Sequence, residues 1–267
     1  MKKDYVASSS AQPDTEFVAG FWDARWKDQQ EDIRREQRLR RREEYRILRQ
    51  AVPGFEARAL DILDCGCGSG EWTLFLRAQG HRAVGIDIAP ETITRLRERH
   101  GECFQSADFR RIPYDAKSFD VVINWGGIEH FEEGPVPAIQ EAKRVLRDGG
   151  VFLATTPCHN LRLFLLDTLG RTSGPGYPVG EYRFYQYRFT PSELEGYFQA
   201  SGFEQVRSRI INGAQGVHRS LQHEFGWLGR RLPWLVRGGL MWAGGWLFRP
   251  ILGHMVICSG RKEAGKP

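Results

Sequence analysis

Residues 64–70 carry three glycines at alternate positions behind an aspartate, in the pattern Asp-x-Gly-x-Gly-x-Gly. The apolar run before them and the helical pattern after them predict a strand, a tight loop and a helix N-terminus. Such a loop brings backbone amides up to a polar ligand, and glycine is required where a Cβ would block the turn or the ligand. A dinucleotide fingerprint would need glycine at Glu71, and a P-loop would need a lysine that this loop lacks. An ordinary glycine-rich turn is the structural alternative.

Two further acids end the next two predicted strands. Asp87 follows the apolar run 83–86, one strand–helix–strand step after Asp64, and Asp108 follows the run 103–107. A carboxylate at Asp87 can accept both hydroxyl protons of a ribose. Any one of these acids could instead cap a helix. Three acids in register with a glycine loop favour a nucleoside ligand at the carboxyl ends of the strands.

The candidates for acid–base chemistry lie just beyond the fourth predicted strand. His130 is the best candidate for a general base, which is needed only if the nucleophile is a hydroxyl or a protonated amine. Glu129 is a weaker alternative, and His159, after the fifth strand, ranks second to His130. A histidine that merely starts a helix is the structural alternative. No His/Cys/Asp/Glu group has metal-ligand spacing, so we expect no metal.

Strands and helices alternate regularly around these residues. The predicted strands lie at 62–63, 83–87, 103–107, 119–124, 151–155, 203–211 and 254–259, and the predicted helices at 72–78, 90–100, 137–146, 160–169 and 191–200. Continuous apolar strands separated by helices indicate a parallel sheet covered on both faces. The sequence therefore predicts an α/β, doubly wound fold, which binds its ligands at the carboxyl ends of the strands.

Composition and charge indicate where in the cell the protein works. The chain has 267 residues and a formal net charge of +5, and the region from residue 201 onwards has ten Lys/Arg against three Asp/Glu. The odd number of cysteines, without a CxxC pair, argues against a disulfide framework. Residues 1–14 lack the apolar core of a secretory signal, and no window is long and apolar enough to span a bilayer. We expect a cytoplasmic protein that could associate with a membrane.

Two regions flank the predicted core, which comprises residues 58–212 and 253–267. Residues 1–57 form an N-terminal tail, disordered to about residue 15, and a charged helix over 29–50 whose run 38–42 could contact nucleic acid or form a solvated face. Residues 213–252 form an insertion rich in tryptophan and arginine between the last two strands, at Trp227, Trp234, Trp242, Trp246, Arg230, Arg231, Arg237 and Arg249. That composition is typical of an interfacial membrane segment, and covering the sheet edge is the alternative.

The glycine loop with its strand-end acids resembles the class I S-adenosylmethionine-dependent methyltransferases, of the type 11-like kind. The strings 118–122, 124–131 and 141–150 are also similar to that family. The resemblance covers residues 58–157 with specific motifs and 189–212 more loosely. It implies a Rossmann-like sheet of seven strands, mostly parallel with an antiparallel last strand, and helices on both faces.

The resemblance also implies roles for individual residues around an S-adenosylmethionine cofactor. Asp87 would bind the ribose hydroxyls and Ile88 would pack on the adenine. Asp108 would accept the adenine amino group, with Phe109 beside it as amide donor or apolar wall. The remaining implied contacts, mostly around the methionine portion, are Asp64, the amides of Gly66, Gly68 and Gly70, Cys67 and Asn124. In this family the segment before the first strand often covers the cofactor, so Phe17 and Trp22 are candidates for a lid.

The leading hypothesis for function is methyl transfer to a hydroxyl or amine of a small or amphipathic biosynthetic intermediate, such as a sugar or glycolipid. Residues 124–127 lack the Asn-Pro-Pro-Tyr type of motif, which disfavours adenine-N6 or glutamine methylation. We expect no nucleic-acid partner, a monomer or homodimer, and peripheral membrane contact through 227–252. Two alternatives stay open. One is a methyltransferase that docks RNA or protein through its basic segments, and the other is a non-catalytic S-adenosylmethionine-binding module.

Overall fold

The computed structural model of the chain describes residues 1–7, 14–27, 35–169, 182–215, 247 and 249–264. The strands in this part of the chain are β1 (Lys2–Ala7), β2 (Asp61–Cys65), β3 (Arg82–Asp87), β4 (Phe104–Ser106), β5 (Phe119–Trp125), β6 (Leu146–Pro157), β7 (Tyr182–Arg188), β8 (Phe203–Ile211) and β9 (Met255–Lys262). The helices are α1 (Asp14–Trp26), α2 (Arg35–Arg40), α3 (Glu43–Ala51), α4 (Glu71–Ala78), α5 (Pro90–His100), α6 (Val136–Val145), α7 (Leu161–Thr168), α8 (Pro191–Ala200) and α9 (Arg249–Leu252).

The central sheet has seven strands in the order β4-β3-β2-β5-β6-β9-β8. Neighbouring strands from β4 to β6 are parallel, and β9 runs antiparallel to both of its neighbours. This arrangement confirms the predicted Rossmann-like sheet with an antiparallel last strand. The strand order reverses at β2, and in open α/β sheets such a switch point opens a ligand crevice at the carboxyl ends of the strands.

Both faces of the sheet are covered by helices. Alternate residues of each strand point to opposite sides and pack in two different apolar clusters. Leu63 and Val122 face the cluster that includes Ala142 of α6 and Phe198 of α8. The intervening residues of the same strands, such as Ile62, belong to a second cluster with side chains of α3 and α4. The continuous apolar strands are therefore buried on both sides, as the sequence predicts.

Local signals place several helix ends where the sequence predicts them. Pro90 occupies the first turn of α5, where its missing N–H costs nothing. Thr190 and Glu193 form a capping box at the start of α8. Glu193 N donates to Thr190 Oγ1 (3.3 Å), and Thr190 N donates to Glu193 Oε2 (2.9 Å).

The N-terminus differs from its prediction. Residues 2–7, expected to be disordered, form β1, which pairs antiparallel with β7 in a separate two-stranded sheet. Residues 182–188 supply the partner strand. The polar residues that suggested disorder are satisfied by distant partners: Arg188 contacts Asp4 at 2.7 Å, and the N-terminal amine pairs with Glu193. Pairing across the chain therefore overrides a polar local composition.

The charged N-terminal helix is also different from its prediction. The described residues form two helices, α2 and α3, separated by a turn at residues 41–42. Leu39 before the turn and Leu48 after it are both fully buried and belong to the same apolar cluster. If these residues formed one straight helix, their few apolar side chains would make a stripe too narrow to dock along its whole length. The turn instead lets α2 and α3 each bury a leucine.

Most of the tryptophan- and arginine-rich insertion lies outside the described residues, including all four of its tryptophans. Its last turn, α9, contacts α7. Across the described ranges of the chain, no helix is both long enough and apolar enough to cross a bilayer.

Candidate functional site

A cavity of about 470 Å³ opens at the carboxyl ends of the parallel strands. Its walls come from the glycine loop, from the segments that follow β3, β4 and β5, and from α1, β1 and β7. Seven residues proposed from the sequence line it, namely Gly66, Asp87, Ile88, Asp108, Phe109, Asn124 and His130. Parallel strands end at one edge of the sheet, which is why residues far apart in the chain meet there.

The glycine loop has the left-handed backbone that its sequence suggests. The φ angle is 70° at Gly66, 51° at Gly68 and 74° at Gly70. The three glycine amides all donate within the protein: Gly66 N to Ile86 O (2.8 Å) and Gly70 N to Cys67 O (2.9 Å). Gly68 N donates to Asp87 Oδ2 (2.8 Å). The observed contribution of the glycines is therefore the shape of the turn, and their expected amide contacts with a cofactor stay a prediction.

Gly68 has no room for an added side chain. A Cβ there would lie 2.7 Å from the indole of Trp26, on a backbone with φ of +51°. We expect Gly68→Ala to lower the free energy of unfolding by about 2 kcal/mol, from strain and overpacking together. In a Trp26→Ala background the overpacking should disappear and the cost should fall, as urea denaturation of the four proteins would show. An equal cost in both backgrounds would contradict the contact.

Asp87 is the strand-end acid that joins β3 to the glycine loop. Besides Gly68 N, its carboxylate accepts a hydrogen bond from Ala89 N (3.0 Å to Oδ1). Burial raises the pKa of Asp87, and the amides of Ala89 and Gly68 oppose that rise. Each carboxylate oxygen keeps a second lone pair. Asp87 can therefore hold the loop and still accept a hydroxyl of a ligand in the cavity.

Four of the predicted site residues lie behind the cavity and do not line it, namely Asp64, Cys67, Gly68 and Gly70. Thr73 Oγ1 donates to Asp64 Oδ2 (2.8 Å) from α4. Cys67 is buried against Gly85, Gly70 lies against the ring of Phe104, and Gly68 lies under Trp26. Sequence spacing identifies all of these as loop residues. Only the tertiary structure separates those that face the ligand space from those that support it.

The carboxyl of Asp64 should make the stability of the ligand-free protein depend on pH. Burial raises its pKa from 3.8 to about 7, partly opposed by the hydrogen bond from Thr73. Between about pH 4 and pH 7 the unfolded chain has lost this proton while the folded protein keeps it, so the free energy of unfolding falls as pH rises. Asp64→Asn removes this contribution. Its stability relative to the unmodified protein should rise across that window by up to about 4 kcal/mol, measured by urea denaturation, and then level off. A difference independent of pH would contradict the shift.

Asp108 is engaged by its neighbour Arg110. The guanidinium lies 2.6–3.1 Å from the two carboxylate oxygens, and the backbone N–H of Arg110 donates as well (2.8 Å). Burial raises the pKa of Asp108, but the hydrogen bonds and charge of Arg110 outweigh it and hold the pKa below its usual value. Arg110 also contacts Glu133 (2.5 Å) and lies over the ring of Phe131. This salt-bridged group forms one wall of the cavity, and the sequence analysis missed it.

Asn124 is fully buried at the end of β5, and both ends of its amide have main-chain partners. Its Nδ2 donates to Cys65 O (2.7 Å), and its Oδ1 accepts from Ile128 N (3.2 Å). A Cβ on Gly127 would lie 2.4 Å from Nδ2, so this amide needs glycine beside it. Asn124 therefore ties β2 to the loop after β5 and shapes the cavity floor.

His130 stands at the cavity wall with one ring nitrogen engaged. Nδ1 lies 2.6 Å from the carbonyl oxygen of Tyr185 on β7. A carbonyl can only accept, so Nδ1 carries the proton, and Nε2 of the neutral ring is free to take one. The ring also contacts Trp22 with centroids 4.9 Å apart. This geometry suits a general base.

Glu129 is buried and does not line the cavity. Its Oε2 accepts a hydrogen bond from Gly127 N (2.6 Å), and its Oε1 lies 3.8 Å from His130 Nε2. Burial raises the pKa of Glu129, while the imidazole and two backbone amides lower it. This arrangement favours a positioning role beneath His130. The other candidate, His159, lies outside the cavity and contacts Asp167 (2.8 Å).

Helix α1 covers the cavity through two stacked indoles, Trp22 and Trp26, whose centroids are 5.8 Å apart. The helix is anchored by Asp23, whose carboxylate accepts hydrogen bonds from Thr92 N (2.7 Å) and Thr92 Oγ1 (2.8 Å) at the start of α5. Asp23 thus caps a helix in another part of the chain. The side chain of Phe17, the other lid candidate, lies outside the described structure.

Strands β1 and β7 complete the cavity with Tyr5, Arg183 and Phe184. The sequence does not predict Tyr5 as a site residue, because a polar N-terminus carries no local signal of a strand. Across the described ranges, no group of three or more His, Cys, Asp or Glu side chains could hold a metal ion.

Comparison with known proteins identifies the domain. Residues 63–154 match the family described as "Methyltransferase domain". A probable S-adenosylmethionine-dependent methyltransferase of Mycolicibacterium smegmatis is 29% identical over 145 residues, which cover 54% of this chain and 52% of that protein. A ubiquinone biosynthesis O-methyltransferase of Methylobacterium nodulans is 29% identical over 150 residues, covering 54% and 59%. The chain thus matches little more than half the length of these relatives.

A solved structure shows the same fold. The S-adenosylmethionine-dependent methyltransferase from Archaeoglobus fulgidus aligns with a TM-score of 0.56 at 16% identity, over 91% of this chain and 99% of that one. At this identity the likeness concerns the fold alone. Taken with the matched domain, it agrees with the sheet order and the glycine loop. Residues 63–154 are therefore a class I S-adenosylmethionine-dependent methyltransferase domain, and S-adenosylmethionine is the cofactor of that domain.

Proposed function

We propose that this protein transfers a methyl group from S-adenosylmethionine to a hydroxyl or amine of a small or amphipathic biosynthetic intermediate, such as a sugar or glycolipid. The observation that carries this proposal is one cavity lined both by two strand-end carboxylates, Asp87 and Asp108, and by His130, whose Nδ1 is engaged by the Tyr185 carbonyl. Its volume of about 470 Å³ is in the range of small-molecule sites.

The residues present fit an adenosyl cofactor. Asp87 can accept ribose hydroxyls, and Asp108 keeps acceptor capacity for an adenine amino group beside its salt bridge. Ile88 and Phe109 supply apolar surface between the two carboxylates. Because Trp26 lies directly on Gly68, the methionine portion would lie against this indole or displace it. Together these residues match a nucleoside with a polar tail.

Bound S-adenosylmethionine supplies a methyl group already activated on a sulfonium, so the protein's task is chiefly alignment and exclusion of water. The indoles of α1 cover the cavity and exclude water from it. His130 Nε2 would take the proton of an attacking hydroxyl, since Nδ1 is already committed to the Tyr185 carbonyl. Glu129, 3.8 Å from Nε2, would stabilise the imidazolium that forms.

The acceptor class follows from the walls of the cavity. Trp22, Phe131, Phe184 and Tyr5 offer aromatic surface in the cavity wall. Such walls favour an acceptor with an apolar portion and a polar group to be methylated. The likeness to a ubiquinone biosynthesis O-methyltransferase supports a hydroxyl as that group.

The direct test is an acceptor screen with methyl-labelled S-adenosylmethionine, using phenols, sugars, glycolipids and amines. We expect label to move to one amphipathic class, with S-adenosylhomocysteine released in equal amount. Tight cofactor binding without transfer to any acceptor would instead favour a non-catalytic binding module.

The contacts of the basic run 38–42 argue against RNA docking there. Arg38 contacts Glu71 (2.5 Å), and Arg40 contacts Glu36 (3.0 Å), so two of its charges are already paired. RNA binding that weakens steeply with salt would support the alternative. We also propose peripheral membrane contact through residues 227–252, of which the structure describes only Leu247 and residues 249–252.

A further inference from the structure

Helix α7 exposes apolar side chains on the face that should be polar. Leu161, Phe164, Leu165 and Leu169, at the end of the helix, are between 49% and 68% exposed. At 100° per residue these positions span an arc of about 140°. In an ordinary surface helix the apolar stripe faces the core, whereas α7 has no buried residue. Contiguous exposed apolar surface marks an interaction site.

The neighbouring chain extends this surface. Helix α9 contacts α7, and Leu247, two residues before α9, is 62% exposed. Asn160 caps α7 through Leu163 N (3.0 Å) and donates to Gly253 O (2.9 Å), which holds α7 against the segment that follows α9. We call the five exposed residues Leu161, Phe164, Leu165, Leu169 and Leu247 the apolar platform. It is fixed to the core, since Gly253 lies two residues before β9 of the central sheet.

The chemistry of the adjoining chain indicates what covers the platform. Residues 216–246 rejoin the described chain at Leu247, and they contain four of the eight tryptophans, four arginines and a single acid, Glu224. Tryptophan and arginine with little acidic character are typical of segments that lie in a membrane interface. Their positive charge matches anionic lipid headgroups. A second copy of this basic chain would lack that complementarity.

The platform also lies beside the cavity. Lys2 of β1 pairs with Asp167 of α7, and three residues further along the same strand Tyr5 lines the cavity. Three residues of strand span about 10 Å. A bilayer seated on the platform would therefore lie close to the cavity mouth.

We infer that the apolar platform seats the protein on an anionic phospholipid surface, from which the cavity receives its amphipathic acceptor. The second half of this inference rests on the proposed methyl transfer, whereas the seat itself does not. Burial of the platform in the interface supplies apolar stabilisation, and the basic neighbouring chain supplies attraction to the headgroups.

The test is flotation of the full-length protein with vesicles of phosphatidylethanolamine and phosphatidylglycerol. We expect binding to these vesicles, weak binding to pure phosphatidylcholine, and a loss of roughly thirtyfold or more in Leu165→Ser/Leu169→Ser. The matched control, Leu165→Met/Leu169→Met, keeps an apolar surface and should bind like the unmodified protein. Both double variants should keep the original melting temperature and affinity for S-adenosylhomocysteine, because Leu165 and Leu169 are at least half exposed and do not line the cavity.

Equal vesicle binding by the serine and methionine variants would overturn the inference, as would the absence of vesicle binding by the unmodified protein. A dimer that the serine variant loses, without vesicle binding, would assign the platform to a second copy and overturn it too. If the protein binds vesicles but does not bind S-adenosylhomocysteine, the membrane-binding role of the platform would be supported and the proposed methyl transfer would be contradicted.

Discussion

Replacing Asp87 by alanine is expected to weaken the binding of S-adenosylhomocysteine by about a hundredfold or more. The substitution removes the proposed acceptor for the ribose hydroxyls and leaves the amides of Gly68 and Ala89 without their partner, so the loop loses its anchor as well. Hydrogen bonds to a charged group contribute about 1.5–3 kcal/mol each, and two of them account for this loss. Isothermal titration calorimetry with S-adenosylhomocysteine measures it.

Asp120→Ala is the matched control for this experiment. Asp120 is also a carboxylate on a strand, and its charged partners are Arg58 (3.1 Å) and Arg147 (3.2 Å). It lies near the start of β5, whereas the cavity opens at the carboxyl ends of the strands. It should lose some stability and keep its affinity for S-adenosylhomocysteine. Unchanged affinity in a folded Asp87→Ala protein would remove Asp87 from the cofactor site.

Replacing His130 by glutamine is expected to lower kcat by about a hundredfold to ten-thousandfold with a hydroxyl acceptor. The glutamine amide can still donate to the Tyr185 carbonyl and hold the local structure, but it cannot take a proton. Affinity for S-adenosylhomocysteine should stay within about threefold, because the hydrogen bonds of Asp87 and Asp108 are untouched. Steady-state transfer of labelled methyl, once an acceptor is identified, gives kcat and KM separately.

His159→Gln provides the comparison, since His159 contacts Asp167 outside the cavity. It should retain kcat close to that of the unmodified protein. If His130→Gln behaves in the same way, no general base acts at this position, and a neutral amine becomes the favoured acceptor because its attack needs none.

Local sequence determined the regular elements of the core well. Helix α5 has the bounds that the sequence predicts, because Pro90 opens it and Gly101 follows its last turn. The capping box that starts α8 was equally readable. These signals act between residues that are close in the chain, so they do not depend on the rest of the fold.

The position of the cofactor side was predictable for a related reason. Once the strands are parallel, their carboxyl ends share one edge, and Asp87 and Asp108 must meet there. The sequence could not divide the glycine loop into residues that line the cavity and residues that support it. That division depends on α1, since Trp26 rather than open space lies over Gly68.

The walls that α1, β1 and β7 add to the cavity were decided by tertiary structure alone. Strand β1 exists because it pairs with β7, with Lys2 opposite Arg188, and α1 is held by Asp23 at the start of α5. Arg110, which pairs with Asp108, also contacts Glu133 in the segment after β5, and this contact too joins separate segments of the chain. The sequence by itself determined the regular elements of the core, because local caps and strand ends encode them, and its motifs indicated the cofactor through their resemblance to a family. Only the folded chain determined the walls that α1, β1 and β7 add to the cavity, because those walls are made of contacts between segments that lie far apart in the sequence.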